Sequence, residues 1–156
     1  MIDLLKRSGV ALAAIFVSAL ACAQQSQFGT AAEAKSMIER VIKELRANPG
    51  EALAKFNKPD GGFRDRDLYV YCFDVKTGIF SAQINPSLIG TDNRQLKEKD
   101  GTPLGQKNYD AAQKLKDGEI TTVSYNYPRP GTTDPVPKVS YLTRVGPTAC
   151  GVGYYK

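Results

Sequence analysis

Between Asp67 and Asp74 run six consecutive residues, Leu68-Tyr69-Val70-Tyr71-Cys72-Phe73, every one of them apolar or aromatic. A strand with one wet face alternates apolar with polar residues. This one does not, so something must cover both of its faces. It also carries two tyrosines spaced two apart, hence on one face, and each hydroxyl needs a partner if it is buried. Any fold for this chain must supply a layer above the strand, a layer below it and an outlet for those hydroxyls.

The flanking segments offer both layers. Thr30 stands three residues before Glu33, a capping box, and Ala34, Ile38, Val41 and Leu45 follow at helical spacing. Asn48-Pro49-Gly50 ends that helix and opens a short one with Ala52, Leu53 and Phe56 facing inward, before the turn cluster from Asn57 to Gly62. A second strand is expected over Ile79–Ile84, then a turn at Asn85-Pro86. Thr102 and Pro103 open a further helix with Leu104, Ala111 and Leu115 on one side, and Gly118 stops it.

Three strands complete the chain. Ile120–Tyr127 is the first, and the proline-rich stretch from Pro128 to Pro137 is expected to be a loop excluded from the sheet interior. Val139, Tyr141, Thr143 and Val145 then alternate with Lys138, Ser140, Leu142 and Arg144, and Gly146-Pro147 turns the chain into Ala149–Tyr155. Late strands joined by short turns argue an antiparallel sheet, with the helices making the class α+β. The apolar strand is then central, with the long helix on one face and the helical insert on the other.

The first residues read as a leader for export. Lys6 and Arg7 precede an apolar run from Val10 to Leu20, followed by Ala21-Cys22-Ala23, the charged, apolar and small-residue regions of a secretory signal peptide. The run falls short of the roughly 20 residues that a membrane span needs. Residues 1–23 are expected to be removed after Ala23, leaving 24–156 as one domain with no membrane span, periplasmic or secreted. A lipid anchor on Cys22 is disfavoured, because Ala19 stands where a leucine is expected three residues earlier.

Composition closes many chemistries. The sequence holds no histidine, which removes the Ser-His-Asp triad, the Cys-His pair and the usual zinc sites. No cofactor is expected. The net charge of +5 is dispersed, with no basic block to suggest nucleic acid. Asp65 and Asp67, two apart before a strand, read as turn caps rather than a catalytic pair. Cys72 and Cys150 lie in separate strand-like segments, and an exported chain leaves two readings open: a disulfide, or two small buried residues that never meet.

Five stretches taken in order, Phe63–Asp74, Ile84–Gly90, Tyr125–Pro130, Pro137–Val145 and Cys150–Lys156, resemble the single Cache domain family of extracytoplasmic sensor modules. The resemblance runs from about Phe28 to the end of the chain. It implies a long N-terminal helix leaning on a five-stranded antiparallel sheet of PAS-like topology, with a pocket for a small ligand, often a short carboxylate, on the other face. The first and last strands are neighbours in that topology, which would bring Cys72 beside Cys150. The function implied is binding or sensing of a small molecule without catalysis, with a membrane-bound receptor or kinase as the partner class. The alternative is an interaction or structural accessory subunit of a receptor or envelope complex.

The ligand-binding residues that the resemblance implies are Tyr69, Tyr71, Gln83, Tyr125, Tyr127, Lys138 and Tyr141. Gln83 stands where many relatives carry a histidine, and Thr122 where many carry a tryptophan. Lys138 is either a carboxylate's partner or a solvated residue after the loop. Lys138 and Tyr141 lie on opposite faces of a regular strand, so only a bulge would bring both to one pocket. With no histidine present, ligand affinity is expected to change little between about pH 5 and pH 8.

Overall fold

The structure, a computed structural model, describes residues 26–156. The expected leader, its cleavage after Ala23 and Cys22 lie outside the described residues. Helix α1 spans Ala31–Ala47 and begins with the capping box, the Thr30 side chain accepting from the Glu33 amide and the Glu33 side chain from the Thr30 amide. Arg66 also pairs with Glu33, and these bonds pull the Glu33 carboxyl down to about 2. Asn48 caps a second helix, α2 (Pro49–Asn57), with its side chain.

The sheet contains β1 (Arg64–Asp65), β2 (Leu68–Asp74), β3 (Phe80–Ala82), β4 (Ile120–Pro128), β5 (Pro135–Val145) and β6 (Thr148–Tyr155). Its order is β1-β2-β6-β5-β4, with β3 pairing β2 as well, and every pairing is antiparallel. The two-residue β1 is an addition to the five strands expected. Helix α3 (Leu104–Gln113) and two short 3-10 segments, Pro86–Leu88 and Asn93–Gln95, lie between β3 and β4. No helix among the described residues is long and apolar enough to cross a membrane.

Strand β2 is covered on both sides. Leu68, Val70 and Cys72 pack with Met37, Ile38, Val41 and Leu45 of α1. Tyr69, Tyr71 and Phe73 point the other way, into a second cluster with Leu104, Ala112, Val123, Tyr125 and Leu142. Leucine-sized side chains buried from both directions each contribute about 1.5–3 kcal/mol, which explains why this strand tolerates no polar alternation. Cys72 pairs with Cys150 across β2 and β6 and is bonded to it as a disulfide.

Two expectations needed adjustment. The proline-rich stretch is less of a loop than its composition suggests, because β4 and β5 stay paired out to Pro128 and Pro135. Pro128 is tolerated because β4 is an edge strand, and β5 reaches Pro135 beyond the end of β6. The expected strand over Ile79–Ile84 shortens to Phe80–Ala82, with Ile79 left as an isolated bridge to Asp92. Gln83 and Asn57 end it: the Gln83 amide donates to Asn57 Oδ1 at 3.2 Å instead of continuing a ladder.

Candidate functional site

The sheet face away from α1 meets the insert, and a cavity lies between them. It is lined by Tyr69 and Tyr71 of β2, Phe80, Gln83, Tyr125 and Tyr127 of β4, and Asn93, Leu96, Leu104 and Asn108 of the insert. Room for water centres amounts to about 20 Å³, close to the space of one water.

Five of the seven expected residues therefore share one cavity: Tyr69, Tyr71, Gln83, Tyr125 and Tyr127. Tyr141 does not join them. Strand β5 keeps a regular register, Lys138 opposite Tyr155 and Tyr141 opposite Val152, so the two residues take opposite faces. Tyr141 packs against the α1 cluster, its ring 6.0 Å from that of Tyr154. With no bulge to turn the strand, it sits behind the sheet.

Lys138 lies on the cavity face but one layer deeper, outside the lining. It is 1% exposed, which removes the solvated reading. Its Nζ stands 4.0 Å from the centre of the Tyr69 ring, 4.4 Å from Tyr155 and 5.8 Å from Tyr127. It donates to the Tyr155 hydroxyl at 3.2 Å, and that hydroxyl donates to the Pro128 carbonyl at 2.6 Å. Rings with negative faces partly replace the water that a buried ammonium has lost. The nearby carboxylate, Asp67, is already engaged by Arg129 and by the Gly29 amide. Burial holds the Lys138 amine down to about 7; Asp67 opposes that fall and the Arg129 charge adds to it. Burial thus brings one amine toward the neutral range in a sequence that has no histidine.

Glycines make this arrangement possible. A Cβ on Gly151 would collide with the Tyr71 ring and hydroxyl, and one on Gly153 with Lys138 Cε and Ser140 Oγ. The last strand is therefore bare where β2 and β5 reach across it.

The polar atoms of the cavity are unevenly satisfied. The Tyr125 and Ser140 hydroxyls share a hydrogen bond of 2.6 Å, and Gln83 Oε1 accepts from the Ile84 amide at 2.8 Å. Tyr71 Oη, Asn93 Oδ1 and Asn108 Oδ1 are buried without partners. Burial also raises the Tyr71 hydroxyl above its usual range, so it stays protonated and able to donate. Asn93, Asn108, Ser140 and Tyr155 were not among the expected site residues. Asn108 had a signal: it occupies the inward position between Leu104 and Ala112 on α3, where an apolar residue belongs. Among the described residues no group of three or more acidic or cysteine side chains could hold a metal.

This layout, a long helix on one sheet face and a small polar cavity under an insert on the other, matches a known family along nearly the whole chain. The model described as Single Cache domain 2 matches residues 7–154. The chain belongs to the single Cache domain family. Solved structures agree in fold. A methyl-accepting chemotaxis protein from Vibrio parahaemolyticus is 22% identical with a TM-score of 0.63, covering 80% of this chain and 86% of that one. A periplasmic sensor domain of a chemotaxis protein is 23% identical with a TM-score of 0.57, covering 78% and 87%. A Cache chemosensory domain described for carboxylic acid recognition is 21% identical with a TM-score of 0.60, covering 80% and 93%. No curated protein matches the chain.

Proposed function

We propose that this Cache domain is an extracytoplasmic binding and sensing module for a small polar metabolite, a short carboxylate before others, and that it acts without catalysis. The observation that carries the reading is the cavity itself. Buried polar groups are almost always partnered, yet three unpartnered polar atoms converge on one small space. A mostly apolar pocket with a few convergent polar groups is the usual form of a small-ligand site. The structural neighbour described for carboxylic acid recognition supports an acid as the ligand, and Lys138, one layer behind the Tyr69 ring, adds a positive potential in the molecules that hold its proton. The signal, on this reading, passes to a membrane-bound receptor or kinase. Residues 1–23 direct export and 24–156 form the domain.

The tightness of the cavity favours a second reading, an interaction or structural accessory subunit whose pocket is filled by its own side chains. A thermal-shift screen across short carboxylates, amino acids and amines separates the two. A ligand at 100 times its dissociation constant stabilises by about 2.7 kcal/mol. No shift with any compound would remove the sensing reading.

A further inference from the structure

The cavity has two chemically different ends. The sheet supplies hydroxyls: Tyr71 is unpartnered, while Tyr125 and Ser140 beside it are bonded to each other. The insert supplies two carboxamides. Asn93 is 0% exposed, and its Nδ2 donates to the Gly105 carbonyl at 3.2 Å, which fixes the group and leaves Oδ1 unpartnered. Asn108, 2% exposed on the inward face of α3, also has an unpartnered Oδ1. Around them the wall is apolar, with Phe80, Leu96 and Leu104. Two buried acceptors in such a wall call for a hydrogen-bond donor.

The donor's charge can be argued as well. No acidic side chain lines the cavity, and Asp67 is held by Arg129. An ammonium would meet only dipoles there and the repulsion of Lys138 behind the Tyr69 ring, whereas a hydroxyl needs no counter-charge and a carboxylate is favoured by that same amine. The space as it stands suits one water; an acid of lactate's size is seated only as the insert moves outward from the sheet, and its hydroxyl then reproduces the bonds that such a water makes.

We propose that Asn93 and Asn108 form the acceptor end of the cavity and select a small hydroxylated acid, its hydroxyl donated to the carboxamide oxygens and its carboxylate turned toward Tyr71. This deepens the ligand reading above and rests on it. A site built to accept from a ligand hydroxyl discriminates strongly against the analogue that lacks one, because its own polar groups are then left unpaired.

The test uses lactate and propionate, which differ only by that hydroxyl, in calorimetric titrations of the purified protein. Lactate is expected to bind at least about ten-fold more tightly. Asn108→Leu is the cleaner variant, since Asn93 also holds the Gly105 carbonyl. It should collapse the difference between the two acids, lactate weakening as its acceptor is lost and propionate tightening as the unpaired Asn108 oxygen is removed. Tyr71→Phe should weaken both acids alike. Equal affinities in the wild type, tighter propionate, or an equal loss of both acids in Asn108→Leu would overturn the acceptor end alone. The wild-type comparison suffices if the variant does not fold. Failure of these and all other short acids to bind would overturn the ligand reading itself, and this inference with it.

Discussion

Replacing Lys138 by Met tests the buried amine through the pH dependence of stability, with no ligand needed. In the folded domain the amine is held down to about 7 by burial; in the unfolded chain it titrates near 10.4. Below pH 7 both states hold the proton and the group contributes no slope. Between about pH 7 and pH 10 the unfolded chain keeps a proton that the folded domain has given up, so stability rises with pH. The limiting slope is about 1.4 kcal/mol per pH unit, or roughly 2 kcal/mol between pH 7 and pH 9 once the half-titrated start is counted. Methionine fills the same aromatic surroundings, Tyr69 at 4.0 Å and Tyr155 at 4.4 Å from the present Nζ, and carries no proton. The absolute change at any one pH mixes several effects, because the variant loses the bond to Tyr155 and the contact with the rings. The difference in slope isolates the amine. Urea unfolding of both proteins at pH 6, 7, 8 and 9, with the disulfide intact, measures it. The Lys138→Met protein should gain least at pH 9, its advantage shrinking by up to about 1.4 kcal/mol per unit above pH 7. Parallel stability curves for the two proteins would refute a depressed amine.

On the carboxylate reading proposed above, a short acid should bind more weakly as pH rises from 6 to 8 and the amine loses its proton, and calorimetry on Lys138→Met should show a flat profile. Tyr71→Phe removes a buried hydroxyl without a partner, so the empty domain should lose no stability and gain up to about 1 kcal/mol in urea unfolding. Reducing the disulfide, which spans 78 residues, should lower stability by about 4.5 kcal/mol on the loop-entropy relation, read as a fall in melting temperature with reductant. Asp67→Ala frees Arg129 and leaves the Gly29 amide unanswered; a loss of about 2–3 kcal/mol is expected, and unchanged stability would show that the pair is idle.

Much of the fold could be read from patterns that have one physical solution. Six apolar residues in a row demand two covering layers, and Thr30 with Glu33 allows little besides a helix start. The spacing of Tyr69 and Tyr71 assigned them to one face; the alternation after Lys138 put Tyr141 on the face opposite Lys138, yet Tyr141 was still counted in the pocket, and the regular register leaves it behind the sheet. What stayed hidden depends on long-range geometry. Asp67 reads as a turn residue, yet its partner Arg129 lies 62 positions away. Asn93 sits in a polar stretch where nothing distinguishes it from its solvated neighbours until the insert folds over it. The extent of β4 and β5 was hidden because prolines forbid a sheet interior but not an edge or an overhanging ribbon.

Lys138 shows most clearly why local sequence could not place a buried amine. From its neighbours it was either a pocket cation or a solvated residue after a loop, and both readings assumed access to water. The structure closes that access by three independent choices. Gly153 leaves a gap on β6 into which the lysine stem fits. Tyr155, two residues further along the same face, offers a hydroxyl to the amine. Arg129 draws the Asp67 carboxylate away, so the amine meets rings instead of an anion. Reversing any one of them has a different consequence: a side chain at 153 would expel the stem, Phe at 155 would remove the hydroxyl, and a free Asp67 would raise the amine toward its ordinary range. The depressed amine is thus a property of four strands and one loop acting together, and no window of sequence contains it.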